Sequence, residues 1–317
     1  LAVKGFGVLL GCAAALILTT ACTASYRETR AEEQFPPEGD FLIVNGTRVH
    51  YLTKGDGPDI VLIHGASGNL RDFTFSLVDK LADRYRVTAF DRPGLGYTDR
   101  INPDGTTLIE QATLLADASD QLGLQKPMVL GQSYGGAVAL AWAVERPDNL
   151  SALILLAAAS NPWTSDLSTF YKVTSSDLGS AVVVPALTAF VPNPVVDRAI
   201  EGVFAPQSEP EGYAEHIGAP LTLRRDTMRA NAMQRANLLN EIKALHTRYV
   251  TISVPTEILH GDADTTVGLS IHSIPLSQQI DGANLTVLKG VGHMPHHAAE
   301  PEVIAAIDRA AERAGLR

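Results

Sequence analysis

Short apolar runs alternate with stretches of helical periodicity along most of this chain, and the alternation leaves few folds open. Residues 59–64, 86–90, 127–130, 150–157, 256–260 and 284–288 read as strands. The run 59–64, Asp-Ile-Val-Leu-Ile-His, shows no polar alternation in its middle, so a strand there needs cover on both faces. The helical stretches 70–83, 106–122, 134–145, 269–280 and 301–314 supply that cover. Within 106–122, Thr107 is placed to cap the start and Gly123 to stop the end. Asn45-Gly46 between two short runs is a hairpin turn. The expected class is α/β: a mostly parallel sheet with helices on both faces.

The rhythm breaks after Ser160. From 161 to 251 proline and glycine punctuate short helical pieces, over a length too great for a loop. The reading is a helical cap inserted at the carboxyl ends of the strands, where ligands bind in open α/β sheets. A core is then expected over 39–160 and 252–317.

The N-terminal end differs from the rest. Residues 5–22 hold no charged side chain, and polar and charged residues follow at once. Residues 1–22 are expected to be a signal peptide or a membrane anchor, and 23–38 a tether. Both cysteines, Cys12 and Cys22, fall in the apolar stretch, which leaves no thiol elsewhere for a disulfide or a thiolate nucleophile. Leu18-Thr19-Thr20-Ala21-Cys22 resembles a bacterial lipobox, with its leucine one place further back than usual. The expected location is therefore exported or membrane-anchored, with the membrane as a partner through this segment. A net charge of −10 and no basic run argue against nucleic acid as a partner.

The sharpest transition is at residues 131–135, where an apolar run ends in Gly-Gln-Ser-Tyr-Gly and an alanine-rich helical run begins. Gly-x-Ser-x-Gly between a strand and a helix has the form of a nucleophile elbow. The turn strains the backbone of the serine, and the flanking glycines keep side chains out of the crowded corner. The rival reading is an ordinary turn with a capping serine. An acid and a base elsewhere decide between them, and two later loops offer both. Gly261-Asp262-Ala263-Asp264 follows one strand, and Gly290-Val291-Gly292-His293 follows the next. The chain order is then Ser, Asp, His.

With His64-Gly65, Asp91-Arg-Pro-Gly-Leu-Gly96, Gly131-Gln-Ser-Tyr-Gly135, Gly261-Asp-Ala-Asp264 and Gly292-His293 in place, the sequence from about Phe41 onward resembles the α/β-hydrolase superfamily. It is similar to the cap-bearing branch of esterases, carbon–carbon bond hydrolases, cofactor-free haloperoxidases, epoxide hydrolases and haloalkane dehalogenases. Epoxide hydrolases and dehalogenases carry Asp at the nucleophile position; Ser133 here suits acyl transfer instead. In the family the acid lies three after the glycine, which selects Asp264 over Asp262.

Ser133 is then the nucleophile, His293 the base that takes its proton, and Asp264 the group that fixes the imidazole. Position argues for the backbone N–H groups of Ala66 and Tyr134 as an oxyanion hole. No cofactor is expected. His64 is expected to brace its loop, and His50 and His260 to be structural. His296 and His297 have no ligand partner at metal spacing beyond their own loop, so no metal is expected. The resemblance implies that Asp91 and Arg92 tie loops together. Met128 and Trp142 read as core. In the cap, Trp163, Phe170, Tyr171, Phe190, Phe204 and 182–184 supply candidates for an acyl pocket. Arg224, Arg225 and Arg229 read as a solvated helix face. The expected function is cleavage of carboxylic esters through an acyl-enzyme, on a small-molecule ester or related carbonyl substrate. Carbon–carbon hydrolysis or perhydrolysis by the same triad is the alternative within enzymes, and a non-catalytic ligand-binding protein on the same fold is the alternative outside them.

Overall fold

A computed structural model describes residues 2–317, with side chains from residue 11 onward. The first part of the apolar stretch 5–22 thus lies outside the described side chains. Eight strands form one sheet in the order β1-β2-β4-β3-β5-β6-β7-β8. They are β1 (Asp40–Val44), β2 (Thr47–Lys54), β3 (Asp59–Ile63), β4 (Arg86–Phe90), β5 (Met128–Gln132), β6 (Ala152–Leu156), β7 (Thr256–Gly261) and β8 (Asn284–Leu288). β2 runs antiparallel to both of its neighbours, and the other pairs are parallel. Asn45 and Gly46 both take positive φ, 51° and 83°, as a tight hairpin between β1 and β2 requires.

Burial follows position in the sheet. Every residue of β3, β5, β6 and β7 is buried, whereas the edge strands β1 and β8 are largely open. Successive side chains of one strand feed opposite cores: Val61, Ile63 and Val129 pack in one, Ile60, Leu62 and Met128 in the other. On the first face lie α4 (Leu108–Gln121) and α5 (Tyr134–Glu145), with Trp142 fully buried. On the second lie α3 (Leu77–Ala82) and α14 (Glu300–Arg313). Thr107 caps α4 in a capping box with Glu110. The helical stretch expected over 70–83 is broken into α2 (Arg71–Thr74) and α3.

Between β6 and β7 the chain forms α6 (Thr169–Thr174), α7 (Asp177–Phe190), α8 (Asn193–Phe204), α9 (Tyr213–His216), α10 (Ala219–Thr222) and α11 (Arg225–Leu245), and then a 3₁₀ turn. After β7 come α12 (Ser273–Gln279) and, past β8, α13 (Pro295–Ala298).

The N-terminal end departs from expectation. In place of a tether, α1 (Ala2–Gln34) runs through residues 23–34 and packs on α7 and α10. Ala24, Glu28, Ala31 and Phe35 form one stripe, spaced so that they share a helix face. Ala24, Ala31 and Phe35 are buried. Glu28 takes a fork from Arg225 at 2.6 and 2.9 Å, and Glu32 meets Arg224 at 2.8 Å. Residues 35–38 are pinned as well: the Pro36 carbonyl accepts from Arg71 at 2.6 Å, and Glu38 pairs with the same guanidinium. The arginines read as a solvated face are thus partners of α1, and Arg229 bonds the Ser180 carbonyl and Asp226. Among the described residues no single helix is long and apolar enough to cross a membrane.

Candidate active site

Ser133 joins β5 to α5 with φ 53° and ψ −116°, a backbone conformation unfavourable for any residue with a Cβ. Its N–H bonds the Leu156 carbonyl at 2.9 Å, and its carbonyl accepts from Gly136 and Ala159, so three neighbours hold the strained turn. The glycines are obligatory. A Cβ on Gly131 would collide with the Gly135 carbonyl, and one on Gly135 with the Ile63 carbonyl.

Three side chains from three loops meet at the carboxyl ends of the parallel strands. His293 Nε2 lies 2.9 Å from Ser133 Oγ, and His293 Nδ1 lies 2.7 Å from Asp264 Oδ2. Asp264 Oδ1 accepts from the N–H groups of Thr266 and Val267 at 2.7 and 2.9 Å. Burial opposes its ionisation, yet hydrogen bonds from His260 and His293 prevail and hold the carboxyl well below the usual carboxylate range. His260 does more than fill the core: its Nε2 stands 3.1 Å from Asp264 Oδ2 and 2.7 Å from the Val267 carbonyl, while Nδ1 meets Ser273 Oγ at 2.6 Å. Asp262 takes no part; it is exposed, and accepts from Gly290 N–H at 2.6 Å across the two loops.

Ala66 and Tyr134 both line the cavity beside Ser133, and no protein acceptor takes either N–H among the described residues. The loop carrying Ala66 is braced on two sides. From the core, buried Arg92 donates to the His64 and Gly65 carbonyls at 2.9 and 3.0 Å, and His64 Nε2 accepts the Arg92 N–H at 3.0 Å. Burial, then the Arg92 charge, push the His64 pKa down to about 4, so it serves as a neutral acceptor. Asp91 accepts from Leu70 and Tyr97 N–H groups and meets His50 Nδ1 at 2.6 Å. From the helical segment, Asn231 bonds both the N–H and the hydroxyl of Ser67 at 2.9 Å, and Thr222 donates to its carbonyl at 2.8 Å. Ser67 itself has φ 58°.

The cavity over Ser133 measures about 1070 Å³. Trp163, Phe170, Tyr171 and Phe204 line it as the sequence suggests; Phe190 and residues 182–184 do not. α8 supplies much of the apolar wall instead, through Val195, Val196, Ala199, Ile200 and Val203. Gln132 and His272 also line it and were not legible as site residues. Gln132 Nε2 donates to the His293 carbonyl at 3.2 Å, which steadies the histidine loop.

A second carboxylate–imidazole cluster lies close by. The structure supplies the partner that His296 and His297 lack in sequence: Asp72, with Oδ2 3.1 Å from His296 Nε2 and Oδ1 2.9 Å from His297 Nε2. These three offer ligand atoms within 4.8 Å of one another. Tyr213 also donates to Asp72 Oδ1 at 2.8 Å. Burial opposes the Asp72 charge, but the two imidazoles outweigh it and keep its pKa well below the ordinary value. The rings of Phe73, Phe75 and Phe204 pack around the histidines. The cluster joins α2, α9 and α13 as a hydrogen-bonded brace.

Residues 58–299 match the model of the alpha/beta hydrolase fold family. Among relatives, an uncharacterised protein of Mycobacterium tuberculosis is 26% identical over 286 residues, covering 86% of this chain and 81% of that one. The 2-hydroxymuconate semialdehyde hydrolase of Pseudomonas putida is 28% identical over 270 residues, covering 83% of this chain and 90% of the relative. Among solved structures, an alpha/beta hydrolase fold protein from Burkholderia ambifaria superposes with a TM-score of 0.70 at 24% identity, over 86% of this chain and 97% of that one.

Proposed function

Because the chain belongs to the alpha/beta hydrolase family, we propose that it is a serine hydrolase that cleaves carboxylic esters through an acyl-enzyme. One observation carries the reading: a hydroxyl on a strained turn, 2.9 Å from an imidazole whose other nitrogen is 2.7 Å from a buried carboxylate. His293 Nε2 takes the Ser133 proton as Oγ attacks the ester carbonyl. The tetrahedral oxyanion is met by the N–H groups of Ala66 and Tyr134. The imidazolium, stabilised by Asp264, returns the proton to the leaving alcohol. Water, deprotonated by His293, then attacks the acyl-enzyme, and Ser133 regains its proton as the carboxylic acid leaves. Asp264 stays ionised throughout, in keeping with its lowered pKa.

A fluorophosphonate probe should label Ser133 in the folded protein, and p-nitrophenyl esters of graded acyl length should be turned over; failure of both overturns the reading. The Pseudomonas putida relative favours a second reading, carbon–carbon bond hydrolysis by the same residues. Turnover of a vinylogous 1,5-diketone with no turnover of esters would select it. The apolar stretch before Cys22 supports an exported or anchored protein, with Cys22 as a lipidation point. Mass spectrometry of the mature N-terminus tests this, and an unmodified cysteine in a chain that keeps residues 1–21 removes the lipoprotein.

A further inference from the structure

The cavity wall is apolar along α8, yet it carries a second imidazole besides that of His293. His272 immediately precedes α12, beside the Trp163 ring at 5.8 Å between centroids, and is only 5% exposed. Its Nδ1 accepts two backbone N–H groups, from Ser160 and Asn161, each at 3.1 Å. A nitrogen that accepts carries no proton, so the ring is the Nε2–H tautomer. Asn161 holds the arrangement from the other side: its Nδ2 donates to the His272 carbonyl at 3.2 Å, and its Oδ1 accepts from Gln279 at 3.0 Å. Burial, followed by the neighbouring His260, pushes the His272 pKa down to about 4, so the ring stays neutral near pH 7. Nε2 has no protein partner among the described residues and is not sealed in the interior; the ring opens on the cavity. The result is a fixed, uncharged N–H donor in a wall that is apolar along α8 and carries polar groups elsewhere, among them Asp166, Asn231 and Arg235.

Such a donor discriminates. A hydrocarbon chain that fills the cavity strips water from Nε2–H and gives nothing back, whereas a chain with an oxygen at that place satisfies it. The donor is neutral, which suits an oxo or hydroxyl oxygen. Resting on the ester-hydrolase reading above, we infer that His272 is a specificity-determining residue: it donates Nε2–H to an acceptor oxygen carried apart from the scissile ester, so that the site prefers oxo- or hydroxy-substituted chains to plain hydrocarbon chains of equal length.

The test is a binding experiment on the Ser133→Ala protein, so that it does not depend on turnover. The probes are N-butyl octanamide, an unreactive stand-in for the ester, and its analogues with an added oxo group at successive carbons of either chain, measured by titration calorimetry. At least one analogue should bind about tenfold more tightly than the parent, the size of one neutral hydrogen bond. Adding His272→Phe should abolish that advantage, so that the Kd of the best oxo analogue falls within about twofold of the parent's in the same variant. His272→Gln, which retains an Nε2 donor, should recover part of it. The inference is overturned if no oxo analogue outperforms the parent, if no amide binds, or if the ratio of parent to analogue Kd is the same in His272→Phe as with His272 present, since the ring would then only brace residues 160–161. The ester reading fails separately, on wild-type protein that turns over no p-nitrophenyl ester.

Discussion

Two buried carboxylates in this molecule each hold imidazoles from the same loop, and they differ in what lies at the far end. Asp264 holds His293, whose other nitrogen faces a serine hydroxyl on a strained turn open to the cavity. Asp72 holds His296 and His297, and the packing around them is aromatic: Phe73, Phe75, Phe204 and the Tyr213 ring. Among the described residues the Nδ1 of His296 finds no partner. In both clusters burial opposes the carboxylate and hydrogen bonds prevail. A shifted pKa therefore does not separate a reactive group from a brace. The separating feature is an imidazole nitrogen aimed at a group that can react; space does not separate them, since Asp72 and Tyr213 line the same cavity.

The sharpest break between the clusters is expected at their ends. Ser133→Ala should lower kcat/KM for esters by about 10⁴–10⁶-fold with an unchanged melting curve. Asp72→Asn should cost less than about tenfold in activity while lowering stability by about 1–3 kcal/mol in denaturant titrations, because buried imidazoles lose their acceptor. A matching 10⁴-fold loss in Asp72→Asn would make the second cluster part of the chemistry. Next in size, Asp264→Asn should reduce kcat by about 10⁴-fold and Asp262→Asn only a fewfold, measured on the same ester. Equal losses would mean that the loop, not the carboxylate, is what matters.

Acid should act on the brace side of the comparison. His64 and His272 both have folded pKa values of about 4 against an ordinary 6.5, and burial likewise lowers His296. The unfolded chain binds protons there that the folded chain does not, so stability is full above about pH 6.5 and is lost as pH falls toward 4. For His272 the loss reaches about 2 kcal/mol by pH 5. Melting temperature against pH should show this slope, and it should be shallower in His272→Phe. The smallest effect concerns Tyr213→Phe, which removes one donor from Asp72 and should cost about 1 kcal/mol in stability with kcat unaltered.

What could be read from the sequence was what sits in loops at strand ends. Gly131 and Gly135 announce a corner that only glycine fits, and Asp264 follows the buried strand β7 and His293 the edge strand β8, each in the loop at the strand's carboxyl end, so local pattern and place in the fold agreed. Partners from distant parts of the chain were not legible. Asp72 meets His296 and His297 across more than two hundred residues, and no spacing rule reaches so far. His272 was silent because its proton is placed by backbone N–H groups, which no side-chain pattern encodes. The packing of α1 was present as the stripe Ala24, Glu28, Ala31, Phe35, but a dense run of charged residues hid it. The cavity wall was half legible: aromatic residues were the obvious choice, while α8 contributes valines and an isoleucine that look like any amphipathic helix.

The hydrogen bonds from Asn231 and Thr222 to Ser67 have a consequence for how such a protein can change over evolutionary time. The part of the chain that shapes the cavity also tensions the loop that carries Ala66. A foreign segment grafted between β6 and β7, with other residues at 222 and 231, would bring a new cavity together with a slackened loop over the serine. New substrate ranges are therefore reached most readily by exchanging single residues along α8, which touch the cavity and leave the Ser67 ties alone.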